Sequence, residues 1–221
     1  MLDEPKAEAT RARRWAAALL LGGTLLVLTA AMTGLSVQAT PAVTASAALA
    51  EPRELKPAGD FVHPAVGFPM PERVGPFQRV AVTQYDQAGL NLSAGYNAML
   101  GETTPLPVVA TVYVYPRRAG DELDAYFEKL LADIGESHAG TRPEFQKNIE
   151  LGGRRFVGRY AIFGYAEPWG GVTREVPLRS YLVLYPWKTW WVKWRVTSPA
   201  PIDNERMRRI VDLTESLLPP D

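Results

Sequence analysis

The spacing of apolar and polar residues along the chain changes period several times, and each change marks an element. FQRVAVTQY (77–85) and LNLSAGYN (90–97) flank DQAG, whose turn chemistry predicts a hairpin. VVATVYVY (108–115) is rich in β-branched and aromatic residues and predicts a strand that Pro116 stops. The period then lengthens. Leu123, Tyr126, Phe127, Leu130, Leu131 and Ile134 line one side of a helix expected from about Asp121 to Ile134. Asp121, Glu122 and Asp124 suit its positive N-terminal end, and Gly135 can stop it.

Alternation resumes in FQKNIEL (145–151) and RRFVGRYAIFGY (154–165), separated by Gly152-Gly153 alone. A two-residue hairpin is predicted, with Glu150 opposite Arg155 and Ile149 opposite Phe156. After the loop 166–177, LRSYLVLY (178–185) and WWVKWRVT (190–197) form another hairpin across PWKT. A closing helix is predicted from about Asp203 to Leu218, with Met207, Ile210, Val211, Thr214, Leu217 and Leu218 on its apolar side. Strands joined by short turns are antiparallel. The expected fold is therefore α+β: an antiparallel sheet of about six to seven strands packed with two amphipathic helices, in the order βββ-α-ββββ-α.

Trp187, Trp190, Trp191 and Trp194 crowd into the last hairpin. Pairing Tyr185 with Trp190 puts Tyr181, Val183, Tyr185, Trp190, Val192, Trp194 and Val196 on one face, which is expected to be core. The other face carries Ser180, Leu182, Leu184, Trp191, Lys193 and Arg195. Its two cations need water or a carboxylate, so it is expected to open at one end. Trp191 beside Lys193 reads either as a stacking platform or as a ring under the lysine stem. Trp187 falls in the turn and Trp169 in the loop AEPWGGVTRE, so both are expected to be exposed. The candidate contact surface is thus Trp187, Trp191, Lys193, Arg195 and Trp169.

The N-terminal third has a different character. Arg11, Arg13 and Arg14 precede an apolar run from Trp15 to Met32, and Val37-Gln38-Ala39 and Ala45-Ser46-Ala47 follow as small-x-small sites. This is the signal-peptide triplet, expected to be cleaved after Ala39; an uncleaved anchor is the alternative, since the run is long. In both cases the positive flank stays inside and the rest of the chain faces outward. From Thr40 to Pro76 alanine and proline dominate, and no helical or strand period survives. The expected organisation is a signal or anchor over 1–39, a tether and extended lead-in over 40–76 with His63 in it, and a single domain over 77–221.

Chemistry narrows the function further. The 221 residues hold 24 basic and 24 acidic side chains, interspersed, which gives no basic patch for nucleic acid. There is no cysteine, which excludes disulfides, thiolate chemistry and a lipidated cysteine anchor. The two histidines, His63 and His138, lack metal-ligand spacing, and His138 reads as a solvated helix end. No G-x-S-x-G and no phosphate-binding glycine loop is present. Glu167 and Glu175 could share a loop as a carboxylate pair, though solvated loop charges are the plainer reading. No catalytic residue, metal or cofactor is expected.

The stretches FQRVAVTQYDQAG, ATVYVYP, ELGGRRF and YLVLYPWKTWWVKWRVT, in this order, resemble exported bacterial domains with the PsbP-like layout of an antiparallel sheet between helices. The resemblance covers about 77–218 and implies a small non-catalytic domain that assists a larger envelope or membrane assembly. The expected function is a non-enzymatic protein of the periplasm or the outer face of the inner membrane, docking on an envelope partner through its aromatic and basic surface. The alternative is a small-ligand binder for a glycan or lipid fragment, and a carboxylate-dependent hydrolase comes after it.

Overall fold

The structure is a computed structural model and describes residues 48–219 apart from 102, 103 and 139. The expected signal or anchor over 1–39 lies outside the described residues.

The central sheet is assembled from β1 (Ala48–Leu55), β4 (Arg73–Val74), β5 (Phe77–Asp86), β6 (Leu92–Leu100), β7 (Leu106–Pro116), β8 (Pro143–Leu151), β9 (Phe156–Pro168), β10 (Glu175–Trp187) and β11 (Trp190–Pro199). Its nine strands run β1-β5-β6-β7-β11-β10-β9-β8, with β4 added beside β5, and every pairing is antiparallel. β2 (Phe61–Val62) and β3 (Pro69–Met70) form a separate short ribbon. The helices are α1 (Leu123–Ser137) and α2 (Asn204–Ser216). The α+β class expected from the periodicity is the class observed. The sheet exceeds six to seven strands because the segment before Phe77 also contributes to it.

That segment corrects the expected tether. β1 adds to β5, with Leu55 beside Val82. Phe68 and Met70 are wholly buried in the core, although no period announces them. Arg79 of β5 ties the crossing down by donating from Nη2 to the Gly59 carbonyl at 2.6 Å, with a second donation to the Met70 carbonyl. The prolines that break the sequence period therefore shape an irregular cap rather than a free chain.

One face of the sheet, face A, carries Val82, Ala94, Val112, Tyr181, Val183, Tyr185, Trp190, Val192, Trp194 and Val196. Ile210, Leu213 and Leu217 of α2 close over it together with Phe68 and Met70. Trp190 and Trp194 are core, as the alternation predicts. The opposite face, face B, carries Ala161, Phe163, Leu182, Leu184 and Trp191, onto which Phe127, Leu130 and Leu131 of α1 pack. So the helices divide, one to each face.

Both predicted hairpin registers are off by two residues. Tyr185 pairs with Val192 and Trp187 with Trp190, leaving only Lys188-Thr189 in the turn. Lys188 adopts φ 54°, which such a tight turn requires. In the other hairpin Leu151 pairs with Phe156, so Ile149 meets Gly158 and Glu150 meets Val157. Glu150 instead forms an ion pair with Arg154 at 3.0 Å. A slip of two preserves the assignment of side chains to faces, whereas a slip of one would have inverted it.

Candidate functional site

The five candidate residues separate into two groups. Trp187 is 4 % exposed, not a turn residue open to solvent. The shorter turn brings it into the ladder, and Phe68 from the preceding segment packs edge-on against it, with ring centroids 6.0 Å apart. Trp191 is 1 % exposed and lies under α1, stacked on Tyr126 at 5.2 Å with the rings 14° apart. Neither ring can stack on a ligand or a partner. Trp169 remains half-exposed in the β9–β10 loop.

Lys193 and Arg195 hold the more informative position. Cα partners place Ser93, Tyr113, Lys193 and Leu184 in one row of face B, and Gly95, Thr111, Arg195, Leu182 and Ala161 in the next. α1 packs on β9 and β10 and reaches β7 at its end, where the Tyr126 hydroxyl donates to the Tyr115 hydroxyl at 3.2 Å. The border between the covered and the uncovered part of face B therefore runs along β11. Both cations stand on it.

Lys193 is 5 % exposed, with Nζ 4.1 Å from the Tyr113 ring centroid and 5.9 Å from that of Tyr115. Ring faces attract a cation but do not replace a carboxylate. The Asp133 carboxylate of α1 is 3.0 Å from Lys129 instead. Burial, and then the neighbouring Arg195 charge, pull the Lys193 ammonium down to about 7. Arg195 donates from Nη2 to Ser180 Oγ at 2.8 Å, and Ser180 Oγ lies 3.0 Å from Thr197 Oγ1. Its guanidinium lies 5.7 Å from the Phe163 ring centroid, and burial lowers its pKa as well. Among the described residues, neither cation is ion-paired with a carboxylate. Lys193 is withdrawn from water and Arg195 partly so, while Asp133 and Glu167 act on them only from beyond ion-pair distance; a buried cation without a contacting carboxylate is costly. Such an arrangement is suited to a ligand that supplies the missing negative charge.

Residues that the sequence keeps apart converge beside this border. His138, buried at the end of α1, stacks on Tyr165 with ring centroids 4.1 Å apart, and its Nδ1 is 3.6 Å from Glu167 Oε2. It is not a solvated helix end. Glu167 pairs with Val176 and Pro168 with Glu175, so Glu167 and Glu175 face opposite sides of the sheet and do not form a carboxylate pair. The other histidine, His63, is fully buried, its Nε2 3.2 Å from the Leu90 carbonyl and its Nδ1 accepting from the Ala65 amide at 3.3 Å. Only its contact with Leu90, 27 residues away, could have revealed this, and spacing carries no such signal.

A shallow depression of about 420 Å³ lies elsewhere, lined by Pro177, Arg179, Tyr181, Ala200, Pro201 and Ile202. Its one cation, Arg179, is already paired with Glu144. Among the described residues no group of three metal-ligating side chains comes together, and no helix is long and apolar enough to cross a membrane. No protein-family model matches the chain, and no curated protein matches it in sequence.

Proposed function

We propose that the chain is a non-enzymatic, exported protein of the bacterial cell envelope that binds an anionic group, a carboxylate or a phosphate, between Lys193 and Arg195. The observation that carries this reading is a pair of cations, Lys193 buried and Arg195 partly buried, with no carboxylate in ion-pair contact among the described residues, standing where α1 leaves face B open. A bound anion offsets the desolvation of both and draws charge-assisted hydrogen bonds from the guanidinium. Export rests on the arginines, apolar run and small-residue sites of the N-terminal segment. The resemblance of the sequence to PsbP-like domains supports an accessory role without assigning a ligand. Docking through Trp187 and Trp191 is replaced by this site, since both rings are enclosed.

The test is thermal unfolding at constant ionic strength, exchanging chloride for acetate or inorganic phosphate. A ligand that binds only the folded chain raises the midpoint as its concentration passes Kd. Wild type should gain stability in acetate or phosphate, and Lys193→Met with Arg195→Gln should abolish the gain. An equal response to all three anions, or an unchanged response in the double variant, would sink the proposal.

A further inference from the structure

Beside the cation pair, face B carries no charged residue on β5, β6 and β7; Glu54 of β1 and Arg73 of β4 flank it, beside Thr83 and Gln78. Its positions on β5, β6 and β7 are Gln78, Val80, Ala81, Thr83 and Tyr85, then Ser93, Gly95, Asn97 and Met99, then Pro107, Val109, Thr111, Tyr113 and Tyr115. Val80 reaches this face through the bulge between Arg79 and Ala81. At the far end the face is apolar and open: Val80 is 55 % exposed and Met99 62 %. Gly95 leaves a gap between them and the cations, because a Cβ there would meet only Val80 Cγ2, at 3.6 Å. The Trp169 loop closes the lower end of β7, where a Cβ at Gly170 would lie 3.7 Å from Pro107.

The dimensions follow from the ladder. Arg195, Thr111 and Gly95 are side by side on β11, β7 and β6, so Gly95 lies about 10 Å from Arg195, two strand spacings away. Met99 is four residues further along β6, about 13 Å at strand rise. A flat, uncharged strip of this length starts at two unpaired cations. A small hydrated anion would use the cations and leave Val80 and Met99 in water. An anion with an apolar tail uses both.

We infer that the occupant of this face is an amphiphilic anion of the fatty-acid class, its headgroup between Lys193 and Arg195 and its chain over Gly95 and Val109 towards Val80 and Met99. This deepens the anion-binding proposal and rests on it. Charge complementarity orients the ligand: the cation pair lies at one end, the Glu54 carboxylate of β1 stands four strand spacings from Lys193, and Arg73 of β4, beside Gln78 at the other end, is engaged in donating to Gln78 Oε1 at 2.8 Å. The tail removes two exposed apolar side chains from water, and this gives selectivity for chain length that an ion pair alone does not.

The experiment is calorimetric titration of the full chain with dodecanoate below its micelle concentration, with acetate and with dodecanol. It is run on wild type, on Arg195→Gln and on the double variant Val80→Glu, Met99→Glu. The latter two side chains are mostly in water, so the double variant keeps the wild-type melting temperature. Dodecanoate should bind at least about tenfold tighter than acetate and dodecanol in wild type, as expected when tail and headgroup both contribute. The double variant should lose that preference and keep acetate binding, and Arg195→Gln should weaken both acids. Equal affinity for acetate and dodecanoate, or unimpaired dodecanoate binding in the double variant, overturns the amphiphile and leaves the anion site standing. Dodecanol binding as tightly as dodecanoate overturns the role of the headgroup. No binding of any acid, with no response to inorganic phosphate in the unfolding test above, overturns both proposals.

Discussion

The His63 ring stands edge-on to Trp190, ring centroids 5.2 Å apart at 74°, and so connects the segment before the sheet to the tryptophan hairpin. Its Nδ1 accepts from Ala65 N–H while Nε2 donates to the Leu90 carbonyl, a pattern that only the neutral ring with its proton on Nε2 can satisfy. Burial lowers its pKa below the ordinary 6.5. The unfolded chain therefore takes up the proton more readily than the folded one. Stability from this contact is complete above pH 6.5 and falls as pH drops below it towards the folded-state value. The urea midpoint of wild type should fall between pH 7 and pH 5. His63→Gln should start about 1–3 kcal/mol lower at pH 7 and show a smaller fall. An identical pH slope in the variant would contradict this account.

Lys193 predicts the stability profile on the alkaline side. Its folded pKa of about 7 lies below the ordinary 10.5, so between these values the unfolded chain binds the extra proton and stability rises with pH. Above pH 10 the buried tyrosines reverse the trend, because burial raises Tyr113 and Tyr185 and the unfolded state releases its phenolic protons first. In the absence of ligand, Lys193→Met should stabilise the fold by about 1–3 kcal/mol at pH 7, as apolar replacement of a buried unpaired charge does. The variant should also lose the rise between pH 7 and pH 10. Denaturant unfolding at three pH values measures both effects.

The tryptophans sort by what covers them. Trp187→Ala and Trp191→Ala each leave a large void in the packed face, beside Phe68 and beneath Tyr126, and should cost about 3–5 kcal/mol. Trp169→Ala, in a half-exposed loop, should cost less than about 1 kcal/mol. Loss of a partner or ligand by the first two variants would therefore report unfolding and not a missing contact. Near-neutral behaviour of Trp187→Ala in chemical denaturation would contradict the burial described.

The segment before Phe77 is part of the fold. A chain beginning at Phe77 loses β1, β4 and the Phe68 and Met70 side chains, and exposes Trp187 and Trp190 on face A. It should fail to unfold cooperatively and should bind a hydrophobic dye, whereas a chain beginning at Ala48 should melt in one transition. Equal melting of the two chains would restore the tether.

The elements after Phe77 were legible because alternation and the helical period are local. Val82, Ala94 and Val112 face the core from their strands, and Phe127, Leu130 and Leu131 face it from α1. The buried side of α2 is rotated slightly from its predicted stripe: Leu213 is buried and Val211 exposed, since the angle at which a helix meets its sheet is set by its neighbours. Hairpin registers were off by two because turn length depends on which residue tolerates a left-handed backbone, here Lys188 and Arg154. What the sequence hid is non-local. Phe68 reaches Trp187 across more than a hundred positions, and His138 meets Glu167 from a different element, so neither leaves a spacing to read. The cation pair lay between these extremes: its strand face could be read, but whether that face was covered could not.

β8 ends the sheet on the side away from β1, and among the described residues its outer row of amides and carbonyls has no neighbouring strand. Phe145 and Ile149 share its face A with Lys147, whose ammonium lies 5.9 Å from the Phe145 ring centroid and 6.0 Å from that of Tyr160. An open strand of this kind can template its own stacking into fibrils, and a lysine amid its apolar residues is a common gatekeeper against it. The positive charge that caps two aromatic rings thus also stands guard over an open strand, at the edge furthest from the strand that follows the N-terminal segment.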